Sequence, residues 1–315
     1  MTKWKILVTA PYMLPVIHNY DQVFADHDAA YVKADVEERF EEPDLIPIIG
    51  DFDGVIAGDD KFTRAVFEAA PRLKVLSKWG TGIDSFDAAA AADHGVTITR
   101  TVDAFTEPVS DTVLGYILNF ARNLTAMDRF MKAGVWEKIP GRALNESTIG
   151  VIGVGATGSG VLRRARAFDA RLLGNDVREV HPGHVKALGV EMTDLERLLA
   201  EADFVNTQCD LNPTSHHLMS REQFSRMKGT AYFINCSRGP VHDEKALVWA
   251  LDNGEIAGAA LDVFEDEPLP ADSPLRKMDN VFIAPHNSNS SPKAWNRIHE
   301  NTLRALFEGL QGAAK

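Results

Sequence analysis

Short apolar runs alternate with longer amphipathic segments along most of this 315-residue chain. This alternation is typical of parallel strands that are buried on both faces and of the helices that cover them. A first series of predicted strands comprises Lys5–Thr9, Gly54–Ala57, Val75–Trp79 and Val96–Thr99, and a second comprises Thr148–Val154, Leu172–Asn175, Phe204–Gln208, Ala231–Asn235, Ala257–Asp262 and Val281–Ile283. The sequence therefore predicts an α/β protein with two parallel sheets.

A long helical pattern, Thr106–Asn123, separates the two series, and residues 291–310 predict a final helix. The length fits two domains of about 150 residues each. We place one domain at residues 1–105 plus 290–315, so that the last helix returns to it. The other domain covers residues 106–289.

Charge and cysteine content exclude several classes of protein. The chain has 45 acidic and 33 basic residues, a net charge of −12, and it has no block of lysine or arginine. This balance argues against binding to nucleic acid or to an anionic membrane. Cys209 and Cys236 are too few for a disulfide framework, and the first residues lack the pattern of a signal peptide. We expect a soluble cytoplasmic protein.

A glycine-rich motif follows the first strand of the second series. Gly153, Gly155 and Gly158 have the G-x-G-x-x-G spacing of turns that bind dinucleotides. In such turns the glycines allow a tight bend, the approach of a pyrophosphate and close packing of helix on strand. Asp176 ends the next predicted strand, where an acid binds the adenosine ribose. Its carboxylate would repel a 2′-phosphate, which favours NAD over NADP, although Arg178 is close by.

Three polar side chains follow later strands: Arg238, Glu267 and His286. Ligands bind at the carboxyl ends of the strands of a doubly wound sheet. A histidine exchanges protons near neutral pH, a carboxylate partner orients it, and an arginine holds a substrate carboxylate with two parallel bonds. Each residue also has a simpler interpretation. His286 would fit a buried structural histidine, Arg238 an ion pair, and Glu267, close to Glu265, a solvated acidic loop.

The order of these motifs resembles the D-isomer-specific 2-hydroxyacid dehydrogenase family. That family includes phosphoglycerate dehydrogenases, glyoxylate/hydroxypyruvate reductases and D-lactate dehydrogenases. The likeness extends from about Val55 to His286 and includes Trp79-Gly-Thr-Gly-Ile-Asp84-Ser-Phe-Asp87, the glycine motif, N-x-x-R-G, D-V-F-x-x-E-P and P-H. It implies two Rossmann-like domains with doubly wound parallel sheets, an active site in the interdomain cleft, and a homodimer formed through the cofactor domains.

The resemblance also implies roles for individual residues. Arg238 would bind and polarise a 2-oxo acid, His286 would be the acid/base, and Glu267 would be its partner. The backbone of Thr81 and Gly82 would hold the substrate carboxylate. The residues implied to bind NAD are Gly153, Gly155, Ala156, Thr157, Gly158, Asp176, Cys236, Ser237, Arg238, Asp262, His286, Asn287, Ser288 and Asn289. No metal ion is expected.

One loop bears on the choice of substrate. Phosphoglycerate dehydrogenases tend to carry an arginine at the position of Ala57, whereas here the acids Asp59 and Asp60 follow. Like charges would repel a phosphorylated substrate. Lys78 and Arg100 are nearby cations whose direction the sequence does not give. We expect a reversible, NAD-dependent hydride transfer on a small 2-oxo acid of the glyoxylate/hydroxypyruvate type.

Three alternatives remain open at this point. The first is a D-3-phosphoglycerate dehydrogenase that lacks the regulatory domain found on some of these enzymes. The second is an NAD-sensing binding module, because the family includes transcriptional corepressors that use this fold to recognise protein partners. The third is hydride transfer from another donor, such as formate or phosphite. Formate enzymes of the superfamily tend to pair their histidine with glutamine, so Glu267 argues against formate but does not bear on phosphite.

Overall fold

A computed structural model describes residues 3–313 and divides the chain into two compact units. One unit contains the residues up to Ala104 together with those from Ser291 onward, and the other is Phe105–Ser290. Each unit is built on one parallel sheet, of five strands in the first and seven in the second. The predicted α/β fold class is confirmed.

The first unit has its strands in the order β2-β1-β3-β4-β5. The elements are β1 (Trp4–Val8), α1 (Asp21–Asp26), β2 (Ala29–Lys33), α2 (Glu42–Leu45), β3 (Gly54–Ala57), α3 (Arg64–Glu68), β4 (Val75–Lys78), α4 (Ala88–Asp93) and β5 (Thr97–Thr99), with short 3₁₀ helices at Ile17–Tyr20 and Ile49–Asp51. β3 is continuously apolar and is buried along its whole length, and β4 is also wholly buried although it ends in Ser77 and Lys78.

The second unit has its strands in the order β12-β11-β10-β9-β6-β7-β8. Its elements are α5 (Thr106–Arg122), α6 (Leu124–Lys132), β6 (Thr148–Ile152), α7 (Ala156–Arg166), β7 (Arg171–Asn175), α8 (Pro182–Leu188), β8 (Glu191–Met192), α9 (Leu195–Glu201), β9 (Phe204–Thr207), α10 (Arg221–Arg226), β10 (Tyr232–Asn235), α11 (Glu244–Asp252), β11 (Gly258–Leu261) and β12 (Val281–Ile283), with 3₁₀ helices at Leu144–Glu146, Gly239–Val241 and Pro274–Lys277.

The last helix, α12 (Pro292–Gly312), belongs to the first unit, where it packs against β3, β4 and β5. Its buried side chains recur at helical spacing and include Ile298, Leu303, Leu306 and Leu310. None of the helices within residues 3–313 is long and apolar enough to span a bilayer.

Two strands, β2 and β8, were not predicted. Both lie at a sheet edge and pair with a single neighbour, β1 and β7 respectively. In β2 only Ala29 is buried, and β8 is two residues long with neither residue buried. An edge strand needs no continuous apolar run because solvent reaches part of it. β8 is too short to show the pattern of a central strand, whereas β2 does carry a four-residue apolar run, Ala29–Val32, that was not recognised.

Candidate active site

Arg238, Glu267 and His286 each follow one of three neighbouring strands of the second unit, at the same edge of the sheet. β10, β11 and β12 run parallel and in register, so that Asn235 lies beside Leu261, which lies beside Ile283. These are the last residues of their strands. Arg238 follows the first, Glu267 the second and His286 the third. The sheet thus brings all three segments to its carboxyl edge, where doubly wound folds bind ligands.

His286 and Glu267 form a hydrogen-bonded pair. The His286 Nδ1 lies 3.1 Å from Glu267 Oε2, and the two side chains are about a quarter exposed, at 25% and 23%. Glu267 Oε1 accepts the backbone N–H of Phe264 at 3.0 Å, which holds the carboxylate in place. A carboxylate partner assigns the Nδ1 proton to His286. Nε2 is then the ring nitrogen that does not face the Glu267 carboxylate.

The second acid of the run, Glu265, has another partner. Its Oε1 lies 2.7 Å from His217 Nε2. Glu267 therefore pairs with His286, and the alternative of a solvated acidic loop does not apply to this residue.

Asp262 anchors the segment that carries His286. Its buried carboxylate accepts the backbone N–H groups of Asn287 at 2.7 Å and Ser288 at 2.8 Å, and its carbonyl accepts that of His286 at 2.8 Å. Burial raises the pKa of the Asp262 carboxyl, while the hydrogen bonds from Ser288 and Asn287 oppose that rise. Asp262 therefore fixes the backbone on both sides of the turn at His286, whose φ is +49°.

The loop that carries Arg238 touches the loop that carries Glu267. Gly239 lies against the peptide that joins Phe264 and Glu265, and a Cβ at position 239 would come within 1.8 Å of the Phe264 carbonyl oxygen. Only glycine permits this approach. The guanidinium of Arg238 donates through Nη1 to the Ser237 carbonyl at 3.0 Å. The Arg238 loop and the His286–Glu267 pair are therefore parts of one packed assembly.

The glycine motif forms the turn between β6 and α7. Gly153 has a φ of +93°, and a Cβ there would meet the backbone of Cys209 at 2.7 Å. A Cβ at Gly158 would lie 1.9 Å from the Gly153 carbonyl oxygen. Both positions therefore require glycine. The turn aims the first N–H groups of α7, at Ala156 and Thr157, towards the carboxyl edge of the sheet.

Two features test whether this turn fits a dinucleotide. Gly155, the N-cap of α7, provides no side-chain cap, and the nearest atom to a Cβ there is Arg178 Nη2 at 3.7 Å. A side chain at this position would therefore meet only the Arg178 guanidinium, and the helix N-terminus is not covered by its own cap residue. Gln208, which follows β9 beside this turn, has a buried Nε2 without a hydrogen-bond partner among the described residues. An orphan donor at this edge suits an oxygen-rich ligand.

Asp176 lies just beyond β7 and is tightly held. Its side chain is 4% exposed and accepts the backbone N–H groups of Val154 and Arg178, both at 2.9 Å. The Arg178 guanidinium adds bonds of 3.1 and 3.2 Å. Burial alone would raise the pKa of Asp176, but these hydrogen bonds outweigh it and lower the pKa below its ordinary value. Asp176 is therefore anionic at neutral pH.

Cys236 is buried at the start of the Arg238 loop, and burial, followed by the charge of Asp262, raises the pKa of its thiol. It stays protonated and serves as a small apolar residue.

The first unit carries Thr81 and Gly82 just after β4. The Thr81 hydroxyl donates to the Thr101 carbonyl at 2.8 Å, and the Arg100 guanidinium donates to the Thr81 carbonyl at 3.3 Å. Arg100 therefore supports this turn, a role that the sequence left undecided.

Asp60 does not face solvent, so the expectation that its charge would repel a phosphorylated substrate is wrong. Asp60 is completely buried, and it accepts bonds from the Thr9 hydroxyl at 2.6 Å and from the backbone N–H groups of Phe40 and Gly58. Burial raises the pKa of Asp60, and these bonds and the Lys78 charge oppose the rise. Its carboxylate is internal and organises the loop.

Asp59 is paired as well. The Lys78 Nζ lies 2.6 Å from Asp59 Oδ1 and also donates to the Gly58 carbonyl, and the Lys78 side chain is only 3% exposed. The repulsion expected from Asp59 and Asp60 is therefore largely cancelled inside the loop, and the choice of substrate must rest on other observations.

Comparison with known proteins identifies the family to which the chain is similar. Residues 114–288 match the profile of the D-isomer specific 2-hydroxyacid dehydrogenase, NAD binding domain. A glyoxylate reductase from Thermofilum pendens is 39% identical over 259 residues, which cover 80% of this chain and 76% of that protein. A D-3-phosphoglycerate dehydrogenase from Methanocaldococcus jannaschii is 36% identical over 297 residues, or 92% of this chain but 54% of that protein.

A solved structure has a similar fold over nearly the whole chain. The structure of an Aquifex aeolicus D-lactate dehydrogenase complexed with NAD and lactic acid superposes with a TM-score of 0.87 at 25% identity, covering 98% of this chain and 96% of that one. The matched NAD-binding domain lies within the second unit, where the glycine turn and the His286–Glu267 pair are found. This protein belongs to the D-isomer-specific 2-hydroxyacid dehydrogenase family.

Proposed function

We propose that this NAD-dependent oxidoreductase of 2-hydroxy acids acts on a small, unphosphorylated substrate, reducing glyoxylate or hydroxypyruvate to the corresponding 2-hydroxy acid. The observation that carries the proposal is the His286–Glu267 pair, at 3.1 Å, on the sheet edge that also bears Arg238 and the dinucleotide turn. The glyoxylate reductase from Thermofilum pendens supports the substrate class because the two chains match over most of both lengths.

The residues divide the chemistry between them. Bound NADH supplies the hydride that reduces C2 of the 2-oxo acid. Arg238 binds the substrate through its forked guanidinium and polarises the C2 carbonyl. Protonated His286 donates the Nε2 proton to the oxygen on C2, and Glu267 stabilises the imidazolium and fixes its orientation. In the oxidative direction neutral His286 accepts that proton.

The cofactor is held by the second unit. The N–H groups of Ala156 and Thr157 bind the pyrophosphate, and Asp176 binds the ribose hydroxyls. The remaining NAD contacts in this proposal come from Cys236, Ser237, Arg238, Asp262, His286, Asn287, Ser288 and Asn289. For the first unit we propose binding of the substrate carboxylate by the backbone of Thr81 and Gly82.

The proposal is tested by the absorbance of NADH at 340 nm with the purified protein. Glyoxylate, hydroxypyruvate, pyruvate, oxaloacetate, 2-oxoglutarate and phosphohydroxypyruvate are offered in turn. We expect glyoxylate or hydroxypyruvate to give the largest kcat/KM. A preference for phosphohydroxypyruvate would make the protein a D-3-phosphoglycerate dehydrogenase. Tight NADH binding without turnover on any acid would favour the NAD-sensing module.

Asp176 and Arg178 give a prediction on cofactor choice. Replacing Asp176 with serine removes the carboxylate that would repel a 2′-phosphate and leaves the Arg178 guanidinium facing it. Bonds to charged groups contribute about 1.5–3 kcal/mol, so we expect KM for NADH to rise roughly 10- to 100-fold and kcat/KM for NADPH to rise. Steady-state kinetics with both cofactors measure the change.

Arg178→Ala is the matched control for this prediction. It keeps the Asp176 carboxylate, so the preference for NADH should stay and activity with NADPH should not increase. A rise in NADPH activity in Arg178→Ala, or none in Asp176→Ser, would contradict the assignment.

We also propose that the protein is a homodimer that uses helix α6. This helix has no buried residue, although its apolar side chains lie on one side of it. Leu124, Met127, Phe130 and Met131 are 38–55% exposed, and Trp136 beyond the helix is 87% exposed. A contiguous exposed apolar face is typical of an interface. A second copy of the chain fits it because most soluble oligomers are twofold dimers.

The double variant Met127→Glu/Met131→Glu is expected to be monomeric. Each substitution removes the free energy of burying one apolar side chain, about 1.5–3 kcal/mol, and each position occurs twice in a twofold interface. Light scattering should show twice the chain mass for wild type and one chain mass for the variant. Val32→Glu, on the exposed side of the edge strand β2, is the control and should stay dimeric. A monomeric wild type would refute the dimer.

The other parts of the proposal follow from chemistry. We propose a cytoplasmic location, because Cys209 and Cys236 are both free thiols, and we propose no nucleic-acid partner, because the net charge is −12.

A further inference from the structure

Asn235, the last residue of β10, is buried and uses all of its hydrogen-bonding capacity. Its Oδ1 accepts the N–H and the hydroxyl of Ser237, both at 2.9 Å. Its Nδ2 donates to the Arg238 carbonyl at 2.8 Å and lies 3.0 Å from His242 Nδ1. Because Ser237 N–H can only donate and the Arg238 carbonyl can only accept, the orientation of the Asn235 amide is fixed.

This fixed amide determines the tautomer of His242. The second proton of Asn235 Nδ2 points at His242 Nδ1, so Nδ1 is an acceptor and the ring proton is on Nε2. His242 is completely buried, and burial, with a further contribution from His217, lowers its pKa to about 4, while the charge of Asp243 and a hydrogen bond with the Gly239 backbone oppose the shift. The imidazole is therefore neutral and accepts from Asn235 at neutral pH.

The imidazole is poorly suited to a purely structural role. Its Nε2 is buried and has no hydrogen-bond partner among residues 3–313, and its ring meets Phe233 edge-on at 5.6 Å. An apolar side chain of similar volume would avoid this unpaired N–H but would leave Asn235 Nδ2 without its second acceptor. What His242 offers at this position, and an apolar residue does not, is the acceptor at Nδ1.

We infer that His242 is a positioning residue for Arg238. The bond from Asn235 Nδ2 to His242 Nδ1 restrains the Asn235 amide, and that amide restrains Ser237 and the Arg238 carbonyl. His242 touches neither substrate nor cofactor in this scheme and acts through Asn235. The inference rests on the proposed role of Arg238 in holding the 2-oxo acid.

Two variants separate positioning from folding. His242→Leu keeps the volume but removes the acceptor, whereas His242→Asn is smaller but places Oδ1 where Nδ1 was. His242→Leu leaves one buried donor unpaired, on Asn235, as wild type leaves one on His242, so its melting temperature should change little. His242→Asn should melt at a lower temperature because it leaves a cavity.

Activity should follow the opposite order. A small displacement of a substrate-holding group costs about 10- to 100-fold in rate, so kcat/KM for glyoxylate should fall by that factor in His242→Leu, mainly through KM. His242→Asn should recover most of it. If activity instead follows melting temperature, with His242→Leu like wild type and His242→Asn impaired, the side chain is structural and the inference is wrong.

Binding of oxamate, a 2-oxo acid analogue, separates this inference from the proposed function. Its affinity for the protein–NADH complex is read from NADH fluorescence and needs no turnover. Weaker oxamate binding in His242→Leu, with NADH affinity within a few-fold of wild type, supports positioning even if glyoxylate is not reduced. Equal oxamate affinity in wild type and His242→Leu, or no oxamate binding to wild type, overturns the inference.

Discussion

The variant His286→Gln is expected to lose between about two and four orders of magnitude in kcat with glyoxylate, the usual contribution of a general acid. Glutamine keeps a polar side chain of similar reach and can still donate to Glu267, so the loop should hold its shape. It cannot deliver a proton to the oxygen on C2. The affinity for NADH, measured by fluorescence in the absence of substrate, should stay within a few-fold of wild type.

Glu267→Gln gives a graded comparison. A glutamine can still meet His286 Nδ1, but it does not stabilise the imidazolium by charge, so we expect a smaller loss of kcat than in His286→Gln. The double variant should be little worse than His286→Gln alone, because the two residues act as a unit. Additive losses in the double variant, or nearly normal kcat in His286→Gln, would show that the pair does not carry the proton.

Most central strands could be predicted from sequence because burial on both faces leaves an apolar run, although β9 ends in the polar residues Asn206 and Thr207. β3, β6 and β9 are buried at every position, and each lies within or matches a predicted strand. The edge strand β8 was missed because its two partly exposed residues form no such run, whereas β2 was missed although Ala29–Val32 is apolar. Apolar runs in a sequence therefore identify the central strands of a sheet more readily than its edge strands.

The candidate site divides in the same way. His286 and Glu267 were identifiable because each follows a strand end, and parallel strands bring their ends to one edge. The backbone contacts of the Asp262 carboxylate, which hold the His286 segment, depend on how two loops close on each other, and no residue spacing encodes that.

Two further residues show the limit of reasoning from charge and residue type. Asp60 is an acid in a loop that was expected to face substrate, yet Thr9 and two backbone N–H groups draw it inside. His242 was not singled out, because its link to Asn235 becomes visible only when both side chains are buried together. The role of Asp60 depends on Thr9, which is distant in sequence, and the role of His242 depends on Asn235, across the loop that carries Arg238.

Arg238→Lys is the second substitution with a large expected effect. Arginine presents two parallel N–H donors to a carboxylate or a polarised carbonyl, and lysine presents a single mobile point charge. Loss of one charge-assisted hydrogen bond and of the fixed fork amounts to about 3–4 kcal/mol, so kcat/KM for glyoxylate should fall roughly 100- to 1,000-fold. Oxamate affinity should fall in parallel.

Arg226→Lys is a suitable control, because Arg226 is paired at the surface of the same unit with Glu222 and Glu196. Surface pairs contribute at most about 1 kcal/mol, and Arg226 lies before β10 whereas Arg238 follows it, so kinetics should not change. In Arg238→Lys, retention of oxamate affinity with loss of kcat alone would assign Arg238 to stabilisation of the developing charge on the C2 oxygen rather than to holding the acid. Loss of both oxamate affinity and kcat would mean that the Arg238 guanidinium both holds the acid and stabilises the charge on the C2 oxygen. The proposed role of His242 and Asn235 is to fix the loop that carries this guanidinium.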